Sequence, residues 1–203
     1  MKDVIVIGGR GHAKVVADIV LSRGDRVLGF LDDDKDLPAL INNIPLLGPV
    51  SDFVKYPDAC FVIGIGNCVI RRKISKMMQG VQWYTAVHPN ALVSPMDTAI
   101  GEGTVVAAGA VINPGAKIGD HCIINTTAVV EHDDQIGHFA HISVGAKLAG
   151  TVTIGDGTWV GIGAVVSNNL AVCGDCMIGA GAVVVHSIDA PGTYVGVPAR
   201  RIK

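Results

Sequence analysis

The sequence contains few aromatic residues, no strong charge of either sign and no long hydrophobic run. Its 203 residues carry a net charge of −2 without a basic run, so the composition offers little to attract a nucleic acid. The apolar stretch Val4–Ile7 is too short for a signal peptide, and nothing approaches the length of a transmembrane helix. We therefore expect a cytoplasmic protein with neither nucleic acid nor membrane as a partner.

Cysteine is also scarce, and its arrangement argues against a metal or redox site. Cys173 and Cys176 form a C-x-x-C pair, but the second pair that would complete a zinc site is missing from the five cysteines. Cys176 also belongs to a regular column of small residues described next, where it acts as a core side chain. We expect no metal.

What the sequence does have is a hexapeptide repeat through its second half. An aliphatic residue recurs at every sixth position. The residue directly after it is often Gly or Asn, and the residue four positions after it is mostly small. Six residues fit no face of an α-helix, but they fit a short strand followed by a tight corner, the unit of a parallel β-helix. The aliphatic residue recurs without a gap at Ile100, Val106, Ile112, Ile118, Ile124, Val130, Ile136, Ile142, Leu148, Ile154, Val160, Val166, Val172, Ile178 and Val184.

Three such sides close one triangular coil, so residues about eighteen positions apart lie one above the other. The aliphatic column then forms the core and the small column fills the corners. We expect the Gly or Asn after the aliphatic residue to take the positive φ of the bend. The low aromatic content of 4% suits so narrow a core. Function is therefore expected from residues that interrupt the columns or project from the corners.

The first ninety residues follow a different pattern, in which strands alternate with helices. This order predicts a parallel α/β sheet, whose ligands bind beyond the carboxyl ends of the strands. Three runs indicate buried strands: Val4–Ile7, Arg26–Leu31 and Ala59–Ile65. We expect a small Rossmann-like domain over residues 1–90, a β-helix over 91–190 and a C-terminal tail over 191–203.

Three motifs fall at those strand ends and together predict a nucleotide-type ligand. The loop Gly8–His12 departs from G-x-G-x-x-G, but its N–H groups can still cradle phosphate at the start of a helix. Asp32 and Asp33 follow the second strand, where an acid can bond a ribose hydroxyl or a base edge. The alternative is a tight turn with solvated acids. The third motif is Gly64–Asn67. Positive charge for phosphates could come from Arg10, His12, Arg71 and Arg72, although each arginine taken singly fits a solvated surface residue better.

One corner of the repeat is unusually polar and contains a candidate general base. The segment from Glu131 to Gln135 replaces the small residue of its hexad by Asp134. A histidine flanked by acids in such a corner suits proton transfer, which favours His132. Gly150 lies eighteen residues on, where we expect its missing side chain to leave ligand space beside a free N–H, although it could be only a turn glycine. His138 lies on the next side of the prism, so the histidines diverge and a three-histidine zinc site is disfavoured.

Taken in order along the whole chain, these motifs resemble a known family. The family is that of the left-handed β-helix sugar acetyltransferases, and its nearest members are the UDP-4-amino-sugar N-acetyltransferases of the N-acetylbacillosamine pathway. Sialic acid O-acetyltransferases are also similar. The resemblance rests on Gly-Gly-x-Gly-His-Ala-Lys-Val-Val at 8–16, Asp32-Asp33, Gly64-Ile65-Gly66-Asn67, Asn125-Thr126-x-x-x-Val-Glu-His-Asp ending at 133, and Gly196-Val-Pro-Ala-Arg200.

The resemblance implies a fold, an assembly and a role for each motif. The β-helix would be left-handed, and a homotrimer would bind acetyl-CoA between neighbouring prisms. His132 would be the catalytic base and Asp133 the acid that orients it, with Asp standing where family members often have Glu. Acetyl-CoA would be bound by His141, Gly150, Ile162 and Ala180. The nucleotide sugar would be bound by Gly9, Arg10, Gly11, His12, Asp32, Asp33, Ile65, Gly66 and Asn67.

The implied reaction is direct acetyl transfer from acetyl-CoA to the amine of a nucleotide-linked, in the first instance UDP-linked, 4-amino-4,6-dideoxy sugar. His132 would take the amine proton while the nitrogen attacks the thioester, and His141 or an N–H near Gly150 would meet the oxyanion. No metal is needed. Two alternatives remain open at this stage: O-acetylation of a sialic acid or another sugar, and a nucleotide-binding scaffold or regulatory protein without catalytic activity.

Overall fold

The computed structural model describes residues 1–203, which form an α/β part and a prism-shaped part. In the first part, strands form at all three runs predicted from the sequence. Its elements are β1 Asp3–Ile7, α1 Gly11–Ser22, β2 Arg26–Leu31, β3 Leu40–Ile41, β4 Ile44–Gly48, a 3₁₀ helix Val50–Lys55, β5 Cys60–Ile63, α2 Cys68–Met77 and β6 Gln82–Trp83.

The α/β part is a six-stranded sheet in the order β3-β4-β2-β1-β5-β6. Its central strand β1 is buried from Val4 to Ile7, as the apolar run predicts for a parallel strand covered on both faces. The pair β3–β4 is an antiparallel hairpin that the sequence reading missed. Its turn residues Asn42 and Asn43 both have positive φ, which asparagine tolerates and which matches the twist of a hairpin.

The prism is a parallel β-helix of two-residue strands. Each strand pairs with the strand one coil further on: Ile123 lies beside His141, and His141 beside Trp159. The strands are β7 Ala86–Val87, β8 Leu92–Val93, β9 Ala99–Ile100, β10 Val105–Val106, β11 Val111–Ile112, β12 Lys117–Ile118, β13 Ile123–Ile124, β14 Val129–Val130, β15 Gln135–Ile136, β16 His141–Ile142, β17 Lys147–Leu148, β18 Thr153–Ile154, β19 Trp159–Val160, β20 Val165–Val166, β21 Ala171–Val172, β22 Met177–Ile178, β23 Val183–Val184, β24 Thr193–Val195 and β25 Arg200–Arg201.

The three faces of the prism differ in what they present outward. The covered face (β7, β10, β13, β16, β19, β22, β24) is buried along much of its length by the α/β part, since Val105 and Ile123 share a hydrophobic cluster with residues of α1. The apolar face (β8, β11, β14, β17, β20, β23) presents Val111, Val129 and Val165. The polar face (β9, β12, β15, β18, β21) presents Ala99, Lys117, Gln135, Thr153 and Ala171.

The two inward columns form the prism core as predicted, with three polar exceptions in the small column. The aliphatic and small residues make one cluster of 25 buried side chains. Thr104, Asp134 and Thr158 occupy small-column positions and are fully buried. Each threonine hydroxyl accepts a hydrogen bond from the N–H one coil on, as Thr104 does from Cys122 at 2.9 Å. The coil stacking therefore supplies buried polar groups with partners.

The expected reason for the glycines after the aliphatic residues is wrong. Positive φ occurs two residues later, at positions such as His121, Asp133 and Phe139. Gly119 and Gly155 are instead required because the neighbouring coil passes too close. A Cβ added at Gly119 would lie 2.8 Å from the backbone nitrogen of His138. Stacking of the coils, and not the turn conformation, selects glycine at this step of the hexad.

Arg71 joins the two parts of the chain and differs from the expected surface or phosphate-binding arginine. It is 1% exposed, and its guanidinium donates to the carbonyls of Ile65 and Gly66 at 3.2 and 2.6 Å. Across the boundary it donates to the carbonyls of His121, Phe139 and Ala140 at 2.9, 2.5 and 3.1 Å. The planar guanidinium suits this cluster of carbonyl acceptors.

Replacement of Arg71 by methionine should lower the free energy of unfolding by at least about 3 kcal/mol, because five buried carbonyls lose their charged donor. Urea denaturation measures the change. The matched control is Arg72→Met: Arg72 makes a partly exposed 3.3 Å ion pair with Asp175 and lies over the ring of Phe139, so its loss should cost about 1 kcal/mol. Equal effects for the two variants would contradict the proposed joining role.

Candidate active site

The glycine loop and the start of α1 line a cleft of about 370 Å³. The N-terminus of this twelve-residue helix points free N–H groups at the cleft, an arrangement that attracts phosphate. The cleft also contains Lys14, a positive side chain that the sequence reading passed over although it stands in the same motif. The lining residues are Gly9, Arg10, Gly11, Lys14, Leu37, Pro38, Leu40, Ile41 and Asn42.

The acids predicted to bind nucleotide are bonded to the backbone around this cleft. Asp32 accepts hydrogen bonds from the N–H groups of Gly9 at 2.7 Å and Asp34 at 2.9 Å. Asp33 accepts from the N–H of Val50 at 2.9 Å. Arg10 forms an ion pair with Asp34. In this structure Asp32 shapes the glycine loop, and Asp33 ties the strand end to the 3₁₀ helix.

The loop Ile65–Asn67 brings the α/β part to the covered face of the prism. Asn67 caps α2 by accepting from the N–H of Ile70 at 3.0 Å. The Gly66 carbonyl lies 3.3 Å from Nδ1 of His141. His12 reaches the same place, with its ring centre 6.3 Å from that of His141 and its buried Nε2 without a partner. Burial, followed by the charge of Arg71, lowers the pKa of His12 to about 4, so the ring is neutral.

The hydrogen bonds of His141 determine its tautomer. A carbonyl only accepts, so Nδ1 must carry the proton and donate to Gly66. The other nitrogen, Nε2, lies 3.1 Å from Nδ2 of Asn125, whose Oδ1 already accepts from the N–H of Thr126 at 2.8 Å. Nε2 therefore accepts from Asn125. Burial, with Arg71 and His12 adding to it, lowers the pKa of His141 to about 3.

His141 is consequently a neutral ring without a free donor. Trp159, one coil on, stacks on it at 4.5 Å between ring centres and donates from Nε1 to Ser143 at 2.7 Å. The expectation that His141 would donate to an oxyanion needs a change of hydrogen bonds that this structure does not contain. In the structure described, His141 anchors the Gly66 loop on the covered face.

His132 and Asp133 form an exposed pair at the edge between the apolar and the polar face. Nδ1 of His132 lies 2.9 Å from Oδ2 of Asp133. This hydrogen bond is the main cause that raises the pKa of His132 above its ordinary value, and the charges of Glu131 and Asp134 act in the same direction. The pairing leaves Nε2 free to take a proton from a substrate.

Gly150 lies against His132, but it does not leave an empty space for a ligand. An added Cβ would clash with Nε2 of His132 and lie 2.5 Å from Cε1, so the imidazole itself fills the place of the missing side chain. The N–H of Gly150 has no hydrogen-bond partner in the chain. Gly150 thus allows the ring orientation and adds a free donor next to Nε2.

The predicted site residues fall on separate sides of the prism. His132, Asp133 and Gly150 lie on the edge between the apolar and polar faces, away from the covered face that contacts the glycine loop. Ile162 and Ala180 follow β19 and β22 on the opposite edge of the apolar face. A six-residue side spans up to about 20 Å. One chain therefore brings together His132 and Gly150, and separately the glycine loop, the Gly64–Asn67 loop and His141, but does not join the two groups.

Other features bear on ligand class. No group of three His, Cys, Asp or Glu side chains is arranged to hold a metal ion. His138 lies on the edge between the polar and covered faces, 3.2 Å from Asp120. No helix of the chain has the length and apolar character needed to cross a bilayer.

Comparisons with known proteins match both parts of the chain. The family described as PglD N-terminal domain matches residues 3–78, and the family described as bacterial transferase hexapeptide (six repeats) matches residues 97–132. The UDP-N-acetylbacillosamine N-acetyltransferase of Bacillus subtilis (strain 168) is 38% identical over 115 residues, which cover 53% of this chain and 52% of that protein. An uncharacterized mimivirus protein matches over 24% of its length. The chain thus spans about half the length of the first of these curated relatives and about a quarter of the second.

Among the solved structures that match, two align over almost their whole length. The acetyltransferase domain of PglB from Neisseria gonorrhoeae FA1090 has a TM-score of 0.94 and 35% identity, with 100% of both chains covered. It is also known in complex with acetyl coenzyme A. PerB from Caulobacter crescentus, in complex with CoA and GDP-perosamine, has a TM-score of 0.93 and 34% identity, with 100% of this chain and 98% of that chain covered.

A β-helix carrying an exposed histidine–acid pair, beside an α/β part with a glycine loop, is the arrangement expected of a hexapeptide-repeat acyltransferase. With the full-length matches, this chain belongs to the left-handed β-helix sugar N-acetyltransferases, the family that its motifs resemble.

Replacement of Gly150 by alanine should lower kcat by about 10²-fold, because the added Cβ displaces the His132 ring from its position. A steady-state acetyl-transfer assay measures the loss. The control is Gly174→Ala at the same step of the hexad on another edge, where the Cβ meets only the Asp156 carbonyl at 3.0 Å. If Gly150→Ala keeps wild-type kcat, the orientation of the ring is not what Gly150 supplies.

Proposed function

We propose that the protein transfers an acetyl group from acetyl-CoA to the amine of a nucleotide-linked 4-amino-4,6-dideoxy sugar. The single observation that carries the proposal is the His132–Asp133 pair beside the free N–H of Gly150. The bacillosamine relative and the PglB and PerB structures support the substrate class. A UDP-linked sugar is the first choice of acceptor. Because PerB binds GDP-perosamine, sugars linked to other nucleotides are also candidates.

The mechanism is direct transfer in a ternary complex. Nε2 of His132 takes a proton from the acceptor amine as its nitrogen attacks the thioester carbonyl, and Asp133 stabilises the imidazolium that forms. The N–H of Gly150 donates to the oxyanion of the tetrahedral intermediate. The C–S bond then breaks and CoA leaves as a thiol after protonation. This reaction needs only acetyl-CoA, the amine and these protein groups, and no metal.

The nucleotide part of the acceptor is proposed to bind in the cleft at the start of α1. The free N–H groups at the start of α1, that of Gly11 among them, suit a diphosphate together with Arg10 and Lys14. The N–H of Gly9 is already bonded to Asp32. His12, Asp32, Asp33 and the Ile65–Asn67 loop would border the nucleoside and the sugar. In this proposal residues 1–90 bind the nucleotide sugar, residues 91–190 bind acetyl-CoA, and 191–203 form the tail that continues the covered face.

We further propose that the active protein is a homotrimer with the site between subunits. The apolar face is the free surface best suited to a second copy, because it presents Val111, Val129, Val165 and Val183 beside only one charged residue, Lys147. Head-to-tail packing of this face in a ring would bring the His132 edge of one chain near the covered face of the next. Acetyl-CoA would then contact Gly150 on one chain and Ile162, Ala180 and His141 on its neighbour. The proposed location is the cytoplasm, in keeping with five free cysteines.

The first experiment is a thiol-release assay with acetyl-CoA and a panel of UDP-, dTDP- and GDP-linked 4-amino sugars, with free sialic acid included. We expect turnover with a nucleotide-linked amino sugar and a loss of 10²–10⁴-fold in His132→Ala. Turnover with sialic acid alone would replace the proposal by O-acetylation. Binding of acetyl-CoA with no turnover on any acceptor would favour a non-catalytic role.

The pH dependence of kcat/KM should report His132. Because Asp133 raises the pKa of His132, the fraction of unprotonated base falls as the pH drops through a value above 6.5, and activity falls with it. Asp133→Asn removes the main cause of the shift, so the acidic limb should move to lower pH while kcat decreases. A limb that stays in place would contradict the assignment of the pair.

The trimer proposal predicts that Val165→Glu yields monomers without acetyl-transfer activity. A charge on the apolar face opposes burial against a second copy, and separated chains cannot combine the two halves of the site. Light scattering coupled to size-exclusion chromatography measures the mass. The control is Thr153→Glu at the matching strand position on the polar face, which should remain trimeric and active. A trimeric Val165→Glu would exclude this face as the interface.

A further inference from the structure

Asp134 is the one charged residue in the inward column of small side chains. It has no exposed surface and lies directly under the corner that carries His132. Oδ2 accepts from the N–H of Glu131 at 2.9 Å, and Oδ1 accepts from the N–H of Val152 at 2.7 Å. One carboxylate therefore bonds two different corners, that of His132 and that of Gly150.

The corner of Gly150 depends on this contact for its shape. In most corners the equivalent N–H closes its own turn, as Ala128 does with the Asn125 carbonyl at 3.0 Å and Ala164 with the Gly161 carbonyl at 3.1 Å. In two corners it goes instead to a threonine hydroxyl of the coil below, from Cys122 and from Cys176. The N–H of Val152 makes no such bond and goes to Asp134 instead. The turn Ala149–Val152 is thus held from the coil below, by the residue that also holds Glu131.

Packing alone does not require a carboxylate at this position. Alanine is the most frequent residue there, and Thr104 bonds the next coil with a neutral hydroxyl while also donating to the Gly119 carbonyl at 2.8 Å. A buried carboxylate is costly to desolvate, and burial raises the pKa of Asp134 to about 6. The carboxylate presents a separate oxygen to each of the two corners, whereas a threonine has a single hydroxyl oxygen.

We propose that Asp134 is a positioning residue that ties the His132 corner to the Gly150 corner and so sets the distance between the base and the N–H donor. The proposal rests on the function proposed for His132. Asp134 touches neither substrate; it acts through the backbone of the two corners. Its charge also lies under the imidazole and favours the imidazolium that forms during proton transfer.

The charged surroundings of Asp134 are confined to its own corner. Glu131, His132 and Asp133 are the ionisable neighbours there. The corners above and below, 149–152 and 113–116, contain no ionisable side chain. Substitution of Asp134 therefore changes the electrostatics of His132 without disturbing a second charged network.

The test compares Asp134→Thr and Asp134→Asn with the control Thr104→Ala. Threonine at 134 can reproduce the bond that Thr104 makes to the next coil, so it restores the bond to Val152 but not the one to Glu131. We expect a melting temperature within a few degrees of wild type and a kcat at least tenfold lower, with smaller changes in both KM values. Thr104→Ala, in the same column on another edge, should lower the melting temperature while kcat stays within twofold.

Asparagine keeps the volume of the side chain, but its amide NH₂ group faces the N–H of either Glu131 or Val152. Two donors then face each other, so one of the two hydrogen bonds is lost. Asparagine should lower kcat like threonine does, and it provides a second variant if threonine prevents folding. Wild-type kcat in either variant, or an equal loss of kcat in Thr104→Ala, would overturn the proposal. If the wild-type protein itself shows no acetyl-transfer activity, the result counts against the function proposed for the protein and not against the role of Asp134.

A readout without any sugar is the titration of His132, followed by NMR of its Cε1 proton and assigned with His132→Ala. Removal of the Asp134 charge and of the bond to Glu131 should lower the pKa of His132 in Asp134→Asn, and Thr104→Ala should leave it unchanged. A pKa of His132 that is the same in Asp134→Asn and wild type would contradict the link between the two residues.

Discussion

Backbone pairing between successive coils is the constraint on which the rest of the prism depends. Each strand hydrogen-bonds the strand one coil on, so a residue is stacked on the residue eighteen positions away. This stacking explains why Gly119 and Gly155 are glycines, since the next coil leaves no room for a Cβ. It also explains the site: the ring of His132 occupies the space over Gly150 because the coil register puts one under the other. A change of register would separate them and would turn core side chains outward.

The contact between the two parts uses a charge where hydrophobic packing alone would leave carbonyls unpaired. The corners at His121 and Phe139 have positive φ and turn their carbonyls outward. The buried guanidinium of Arg71 donates a hydrogen bond to each of these carbonyls. Its charge has a second effect. Together with burial it lowers the pKa of His12 and His141, so both rings are neutral where the α/β part meets the covered face. Neutral rings can accept hydrogen bonds there, as Nε2 of His141 does.

The repeat could be predicted from the sequence almost completely, because periodicity reports which residues stack and which face inward. It does not report what a side chain touches. The sequence shows where the glycines of the hexad stand, but the reason predicted for them, a positive φ, was wrong. A turn with positive φ and a close approach of the next coil both select glycine, so the sequence cannot distinguish them. Arg71 looked like a member of a basic surface helix, because a buried arginine has no periodic signature. The hairpin at Asn42-Asn43 was missed although two asparagines between apolar pairs are a recognisable turn signal. At the site, the pairing of His132 with Gly150 followed from counting residues, whereas the ring orientation did not.

The separation of the two halves of the site is itself an argument about assembly. The proposed base lies on one edge and the loops proposed to bind the nucleotide lie over the opposite face. They cannot act on one substrate within a single prism, whose sides are too long for an amine and a thioester to meet. The prism is also rigid, because every coil is bonded to two others, so a hinge within the chain offers no way to close the gap. A second copy packed on the apolar face removes the difficulty without any motion, because that face is bounded by the His132 edge on one side and by the edge of the covered face on the other. The apolar residues of that face and the exposed histidine–acid pair are therefore best understood as two parts of one proposed intersubunit site.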